Sequence, residues 1–138
     1  MSTIELFPGR YKKAVFAKDI DAYTSIFDEK VKVFDMWENW SCDGLEAWQD
    51  MAKAWFASLG TDRDLVEFED IQIESSAELA TLTAFVKFTA VSEKNEELRW
   101  LLNRLTWIAR KKDGDWKIIH QHTSAPIQFE TMKVKLTK

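Results

Sequence analysis

At Gly60 the hydrophobic period of this chain changes, and that change limits the possible folds more than any other feature of the sequence. Before it, apolar residues recur at helical spacing. Leu45, Trp48, Met51, Ala52, Trp55, Phe56 and Leu59 form one stripe, and Gly60 follows where a helix can end on a left-handed residue. After it, alternation with period two takes over. "DLVEFEDIQIE", "ELATLTAFVKFTAVS", "NEELRWLLNRLTWIARK" and "DWKIIHQHTSAPI" each read as a strand, and "KDG" joins the last two as a hairpin turn. Successive strands with such short connections predict an antiparallel meander.

The segment ahead of the long stripe has the same mixed grammar on a smaller scale. Tyr11, Ala14, Val15 and Phe16 cluster at helical spacing after Pro8. Asp19 is a natural N-cap for a second helix in which Ile20, Tyr23, Ile26 and Phe27 share a face. "KVKVFDMW" reads as a strand with Val31, Val33, Asp35 and Trp37 on one side and Phe34 and Met36 on the other. "ENWSCDG" is a loop that could cover a site. The predicted order is helix, helix, strand, helix and then four antiparallel strands, which is an α+β fold with helices covering one face of a sheet. No repeat or low-complexity linker divides residues 1–138, so one domain is expected.

Composition narrows the function classes. The net charge is −4, from 23 acidic against 19 basic residues with the signs interspersed, and no basic block points to nucleic acid. The single cysteine, Cys42, cannot form an internal disulfide and fits a reducing compartment. "MSTIELFPGR" lacks the cationic start and apolar run of a signal peptide, and no apolar segment approaches the length of a membrane span. A cytoplasmic protein is expected, with no membrane partner. Seven Trp and nine Phe need a thick core, a walled pocket or an apolar subunit interface. The last two strands are apolar on both faces, and a second subunit is the simplest cover for the outer one.

Two stretches carry a resemblance to a known superfamily. "RLTWIARKKDGDWKIIHQHTSAP" resembles the hairpin of SnoaL-like domains and of the calcium/calmodulin-dependent kinase association domain. "RYKKAVFAKDIDAYTSIFDEKVKVFDMWENWSCDG" runs without gaps beside the N-terminal half of bacterial ketosteroid isomerases. Together they cover nearly the whole chain and imply the cone-shaped fold of the ketosteroid isomerase, SnoaL and nuclear transport factor two superfamily, with N-terminal helices on a curved, mainly antiparallel sheet. This superfamily hosts many activities, so the resemblance speaks to fold before function.

What the resemblance implies about a site can be carried over residue by residue. In ketosteroid isomerases an Asp base moves a proton beside a carbonyl, while a Tyr and a second, neutral Asp donate hydrogen bonds to the oxygen. The base falls on Asp35 and the tyrosine on Tyr11. The second acid falls at about Thr106, beside Asn103 and Arg104, and none of these is a carboxylic acid. Arg104 could supply a positive charge suited to an anionic ligand. On this carry-over Trp100, Leu102, Arg104 and Thr106 form the pocket face of their strand, with Ile119, Gln121 and Thr123 facing them from the last one. Trp37 and Trp40 are expected at the pocket rim, and Trp48 and Trp55 in the core.

His120 and His122 lie two apart on a strand and so share one face. They could bind a metal or act as acid and base, but neither a third His nor a matching Cys or acid accompanies them in that segment. The hairpin alignment puts them with Trp116 and Ile118 on the opposite face, where many relatives pack a second subunit. The expectation is a homodimer through the face carrying Trp116, His120 and His122, with no metal and no cofactor. Three functions remain open at this point: proton-transfer catalysis next to a carbonyl (isomerase, cyclase or dehydratase), non-catalytic binding of a small acid, or an assembly module.

Overall fold

Helices do occupy the first part of the chain and long strands the rest, in a computed structural model that describes residues 3–138. A single 3-10 turn at Ile4–Leu6 leads into α1 (Phe7–Ala17), whose first turn accepts Pro8 because no intrahelical N–H is needed there. Asp19 caps α2 (Ile20–Thr24), its carboxylate accepting from the Ala22 N–H at 3.0 Å. After β1 (Phe27–Phe34) and the short β2 (Cys42–Asp43) comes α3 (Leu45–Ser58), and Gly60 beyond its end is left-handed at φ 58°. The meander follows as β3 (Arg63–Ser75), β4 (Leu79–Val91), β5 (Glu97–Lys112) and β6 (Asp115–Ser124). Asp113 and Gly114 turn the last hairpin with positive φ at both positions, the requirement of a type I′ turn. A small hairpin of β7 (Ile127–Gln128) and β8 (Lys133–Val134) ends the fold.

The six main strands lie in the order β2-β1-β6-β5-β4-β3. All neighbours are antiparallel except β1 and β6, which run parallel. Register shifts interrupt β3/β4 near Asp70, β4/β5 near Ala90 and β5/β6 near Ile119. Extra residues of this kind bend a strand and increase its twist, so the sheet curves around the helices instead of lying flat. Asp70 itself takes φ 52° inside its strand.

Leu82, Ala84 and Val86 of β4, Leu105, Trp107 and Ala109 of β5, and Ile118 of β6 are buried on the inner face. Trp107 is 0% exposed and stands at the centre. Its ring packs edge-on to Phe7 and tilted against Tyr11 and Phe68, at 6.4, 5.7 and 5.5 Å between centroids. Its indole N–H donates to Gln121 Oε1 at 2.9 Å, which removes the penalty of burying both polar groups. α1, β3, β5 and β6 are thereby held at one point.

The register corrects one expectation about the faces. Ile108 pairs with His120, but Ala109 pairs with Ile118, so Ile119 is an extra residue in β6. On the N-terminal side of this bulge every side chain changes face relative to simple alternation. Ile118, not Ile119, takes the inward place, and Trp116 packs against the core. His120 and His122 do lie on the outer face, opposite Thr106 and Ile108 and in edge contact with Phe34, but Trp116 and Ile118 do not accompany them. Among the described residues no helix is long and apolar enough to cross a membrane.

Trp107→Ala should cost about 3–5 kcal/mol, because it empties the largest fully buried site and orphans Gln121. Urea unfolding followed by far-UV circular dichroism measures this directly. A loss under about 1 kcal/mol would show that the three aromatic contacts can re-form without the indole.

Candidate functional site

The helices cross the concave face of the sheet without filling it. The gap is a cavity of about 730 Å³. α1 contributes Tyr11, α2 Tyr23, and α3 Trp48, Met51 and Trp55; the sheet contributes Asp64, Phe88, Asn103, Gln121 and Thr123. Asp35 and Trp37, just past β1, and Arg99 and Trp100, at the start of β5, belong to the same lining. Aromatic rings dominate the wall because helical spacing on α3 brings Trp48 and Trp55 to one side, where Tyr23 meets both at 6.2 and 6.1 Å.

Asp35 is held in a fixed orientation. Thr123 Oγ1 donates to one carboxylate oxygen at 3.2 Å and the Trp37 backbone N–H donates to the other at 3.3 Å. The same Thr123 hydroxyl accepts from the Met36 N–H at 3.0 Å, so the end of β1 and the end of β6 are tied together at the carboxylate. Burial pushes the Asp35 pKa up from the ordinary value of 3.8, against the lowering effect of those two donors. Desolvation therefore makes it a stronger base than a surface carboxylate.

Tyr11 and Tyr23 form the second feature, with ring centroids 5.3 Å apart. Both phenols are fully buried, and desolvation raises both pKa values above the ordinary 10.0. The neighbouring phenols act on each other in opposite senses, Tyr23 lowering Tyr11 and Tyr11 raising Tyr23, on top of that desolvation. Burial thus keeps Tyr11 protonated at neutral pH, as a phenol that can donate into the cavity it lines. Asp35 and Asp64 both bear electrostatically on Tyr11.

Asp64, on the far edge strand β3, is only 8% exposed, and Trp55 Nε1 donates to its Oδ2 at 3.0 Å. Burial raises this carboxylate as well, with Trp55 and then Arg99 acting in the opposite direction. Among the described residues, two other polar groups in the wall lack partners. The Trp48 indole N–H faces Tyr23 without reaching hydrogen-bond geometry, and Asn103 Oδ1 accepts nothing, although Asn103 Nδ2 donates weakly to Met36 Sδ at 3.5 Å.

Of the residues singled out from the sequence, Tyr11, Asp35, Trp37, Trp100, Gln121 and Thr123 line this one cavity. Three do not. Trp40 is 98% exposed, at a separate shallow groove with Lys32, Phe34 and His122. Arg104 is exposed on the outer face, its Nε donating to Ser124 Oγ at 3.0 Å. Thr106 is opposite His122 on that same outer face. The inward set on β5 is Leu101, Asn103, Leu105 and Trp107, so the expected pocket face was the wrong one of the two. Trp48 and Trp55, expected in the core, are core and cavity wall at once. Sequence reasoning also passed over Tyr23, Asp64, Arg99 and Asn103. A signal for Asp64 existed, since it shares the strand parity of Val66 and Phe68, where a carboxylate is out of place. Among the described residues no three of His, Cys, Asp and Glu gather as a metal site.

Residues 4–128 match the family described as SnoaL-like domain. Among solved structures, an NTF2-like protein of unknown function from Pseudomonas putida superposes with a TM-score of 0.85 at 22% identity, covering 96% of this chain and 91% of that one. Aln2 from Streptomyces superposes at 0.75 with 12% identity, covering 90% and 93%. A protein of unknown function with a cystatin-like fold from Nostoc punctiforme gives 0.68 at 17% identity, covering 87% and 85%. At these identities the likeness establishes the fold. No curated protein matches the chain.

The raised Asp35 pKa has a consequence for stability. Between 3.8 and the raised value, the folded protein holds a proton that the unfolded chain has released. The contribution is fully present below 3.8 and is lost as pH rises through the folded pKa. Asp35→Asn, which cannot ionise, should therefore melt above wild type at about pH 7, with the gain shrinking toward about pH 4. Thermal melts at both values test this, and a variant less stable than wild type at neutral pH would contradict it.

Proposed function

The chain belongs to the SnoaL-like domain family, and from that premise we propose that it binds a small carbonyl compound in its cavity and moves a proton at the carbon beside the carbonyl. Asp35 is the base. One observation carries the reading: a desolvated, oriented carboxylate and a buried, protonated phenol line the same aromatic cavity. In the step, Asp35 takes a proton from the carbon, and the C–H electron pair moves to form the C=C bond of an enolate. The carbonyl oxygen gains the negative charge and is stabilised by the Tyr11 hydroxyl, whose ring packs against Tyr23. In a β,γ-unsaturated ketone that enolate is a dienolate, and the proton returns from Asp35 to its γ carbon, regenerating the base and moving the C=C bond into conjugation with the carbonyl; cyclase and dehydratase chemistry would start from the same enolate. Gln121 and Thr123 hold the geometry, and Trp37 and Trp100 contact the ligand at the mouth.

The acid-binding alternative loses Arg104, which is engaged with Ser124 outside the cavity, and would rest instead on Arg99 in the wall. The outer face of the sheet supports a homodimer instead of a ligand site. It carries Phe34, His120 and His122, with His120 Nδ1 anchored to the Lys32 carbonyl at 2.7 Å and Trp116 excluded from it.

Deuterium uptake next to the carbonyl of cyclic ketones and enones, followed by NMR, tests the chemistry. Asp35→Asn should slow uptake by about a hundredfold or more, and Tyr11→Phe by a similar factor, with folding retained. Uptake by Asp35→Asn at the wild-type rate would remove the base from the mechanism. Light scattering at micromolar concentration should give twice the mass of one chain; the mass of a single chain would rule out the dimer.

A further inference from the structure

In the loop between β1 and β2, the Asn39 N–H donates to the Trp37 carbonyl at 2.8 Å and closes a three-residue turn around Glu38, whose φ is 67°. A γ-turn with positive φ at its centre is the rare, strained form; the common form has negative φ. Every other described non-glycine residue with positive φ has an evident reason for it. Lys18 ends α1, Asp70 lies at the bulge of β3, and Asn95, Asp113 and Met132 turn hairpins. Glu38 does none of these, and a glutamate gains nothing from positive φ as glycine or asparagine would. Strain that the fold does not need points to a second conformation of the loop.

The turn also divides two tryptophans. Trp37, ahead of it, is half-exposed and lines the mouth of the cavity with Arg99 and Trp100. Trp40, beyond it, overhangs the outer groove beside Phe34 and His122 and is 98% exposed, which leaves its ring almost without contacts. Glu38 borders both hollows, so the loop is the partition between them. Its ends are fixed. The Met36 N–H donates to Thr123 Oγ1 at 3.0 Å, Cys42 pairs with Val33, and the Gly44 N–H donates to the Val31 carbonyl at 2.7 Å. Among the described residues, the backbone of residues 37–40 is held only by the turn itself and by the Trp37 N–H. That N–H lies 3.3 Å from Asp35 Oδ2, long for such a bond.

We propose that residues 37–40 are a gate on the cavity, with Glu38 as its hinge and Trp40 as the group that closes it. The structure holds the gate open. Release of the strained turn returns Glu38 to negative φ and carries Trp40 from the groove to the mouth, where it lies against Trp37 and Trp100. Closure relieves the strain and buries a large exposed ring; the turn's own hydrogen bond and the Trp37 N–H bond to Asp35 oppose it. An occupant of the cavity that touches Trp40 shifts this balance toward closure by the contacts it gains there. Gating of this kind is independent of which ligand enters and of whether Asp35 acts as a base.

Fluorine NMR of the protein labelled with 5-fluorotryptophan tests the gate without any ligand. The seven tryptophans give seven resonances, assigned by single Trp→Phe substitutions. Relaxation dispersion should show microsecond-to-millisecond exchange at Trp37, Trp40 and Trp100, and none at Trp48, Trp55, Trp107 or Trp116. Glycine accepts positive φ, so Glu38→Gly should lower the closed population about fivefold or more. Glu38→Val, whose branched side chain resists positive φ, should raise it. Glu38→Gln keeps the backbone preference and should leave the population within about twofold of wild type, which separates strain from charge. Stopped-flow release of an uncharged dye, N-phenyl-1-naphthylamine, gives the second readout. The dye should leave Glu38→Gly and Trp40→Ala about fivefold faster than wild type, and the double variant no faster than either, because both changes disable one gate. Flat dispersion profiles at Trp37 and Trp40, exchange common to all seven resonances, or equal release rates in all variants overturn the proposal. So does a Trp40 resonance that moves with protein concentration and not with the residue at position 38, since a second copy would then be what covers the ring.

Discussion

The burial of Trp107 against α1 is the constraint on which the rest of this structure depends. A curved sheet with an apolar concave face must be covered, and the deepest contact of the cover is Trp107 against Phe7 and Tyr11 of α1, with Phe68 of β3 beside it. The hydrogen bond to Gln121 ties the next strand to the same point. That contact holds α1 against the sheet, while α3 rests on it separately through Trp48 on Phe27 and Trp55 on Phe88. The cavity is the volume that this geometry leaves unfilled.

The residues around the cavity take their properties from the same aromatic packing. Tyr11 and Tyr23 are within an unbroken web of rings running through Trp48, Trp55 and Phe56, so water cannot solvate their phenolates. The two carboxylates are raised by the same desolvation, and each keeps a small number of directed donors: Thr123 and the Trp37 N–H for Asp35, the Trp55 indole for Asp64. Neutral donors hold a carboxylate in place without cancelling its charge as an adjacent cation would. Arg99 bears on Asp64 only as a lesser influence, behind burial and Trp55. The wall therefore holds polar groups that are oriented but under-satisfied, which destabilises an empty fold and favours a ligand with matching groups.

Legibility varied along the chain for identifiable reasons. The helices were clear because Gly60 and Asp19 mark their ends and because the α3 stripe is long. Asp35 was legible since Val31 and Val33 alternate cleanly with it, one buried face against one half-exposed. The face of β5 was not. Trp100 and Leu102 on one side are as apolar as Leu101, Leu105 and Trp107 on the other, so alternation specifies a strand without saying which side faces the helices. Once the outer side was chosen, Arg104 and Thr106 entered the expected site and Asn103 dropped out. The faces of β6 were legible from His120 onward but failed at Trp116, because one inserted residue leaves no mark in the sequence while reversing every side chain before it.

While Asp35 as a base candidate came from the resemblance, the sequence by itself determined the class of fold and the order of its elements. Those follow from short-range physics: hydrophobic period, capping and turn chemistry act over a few residues, and they are written in consecutive letters. Only the tertiary structure decided which faces meet, where the sheet bends, and that Asp64, Asn103 and Tyr23 share a cavity with Asp35. Such decisions depend on register shifts and on contacts between residues far apart in the chain, where a single bulge outweighs the alternation around it.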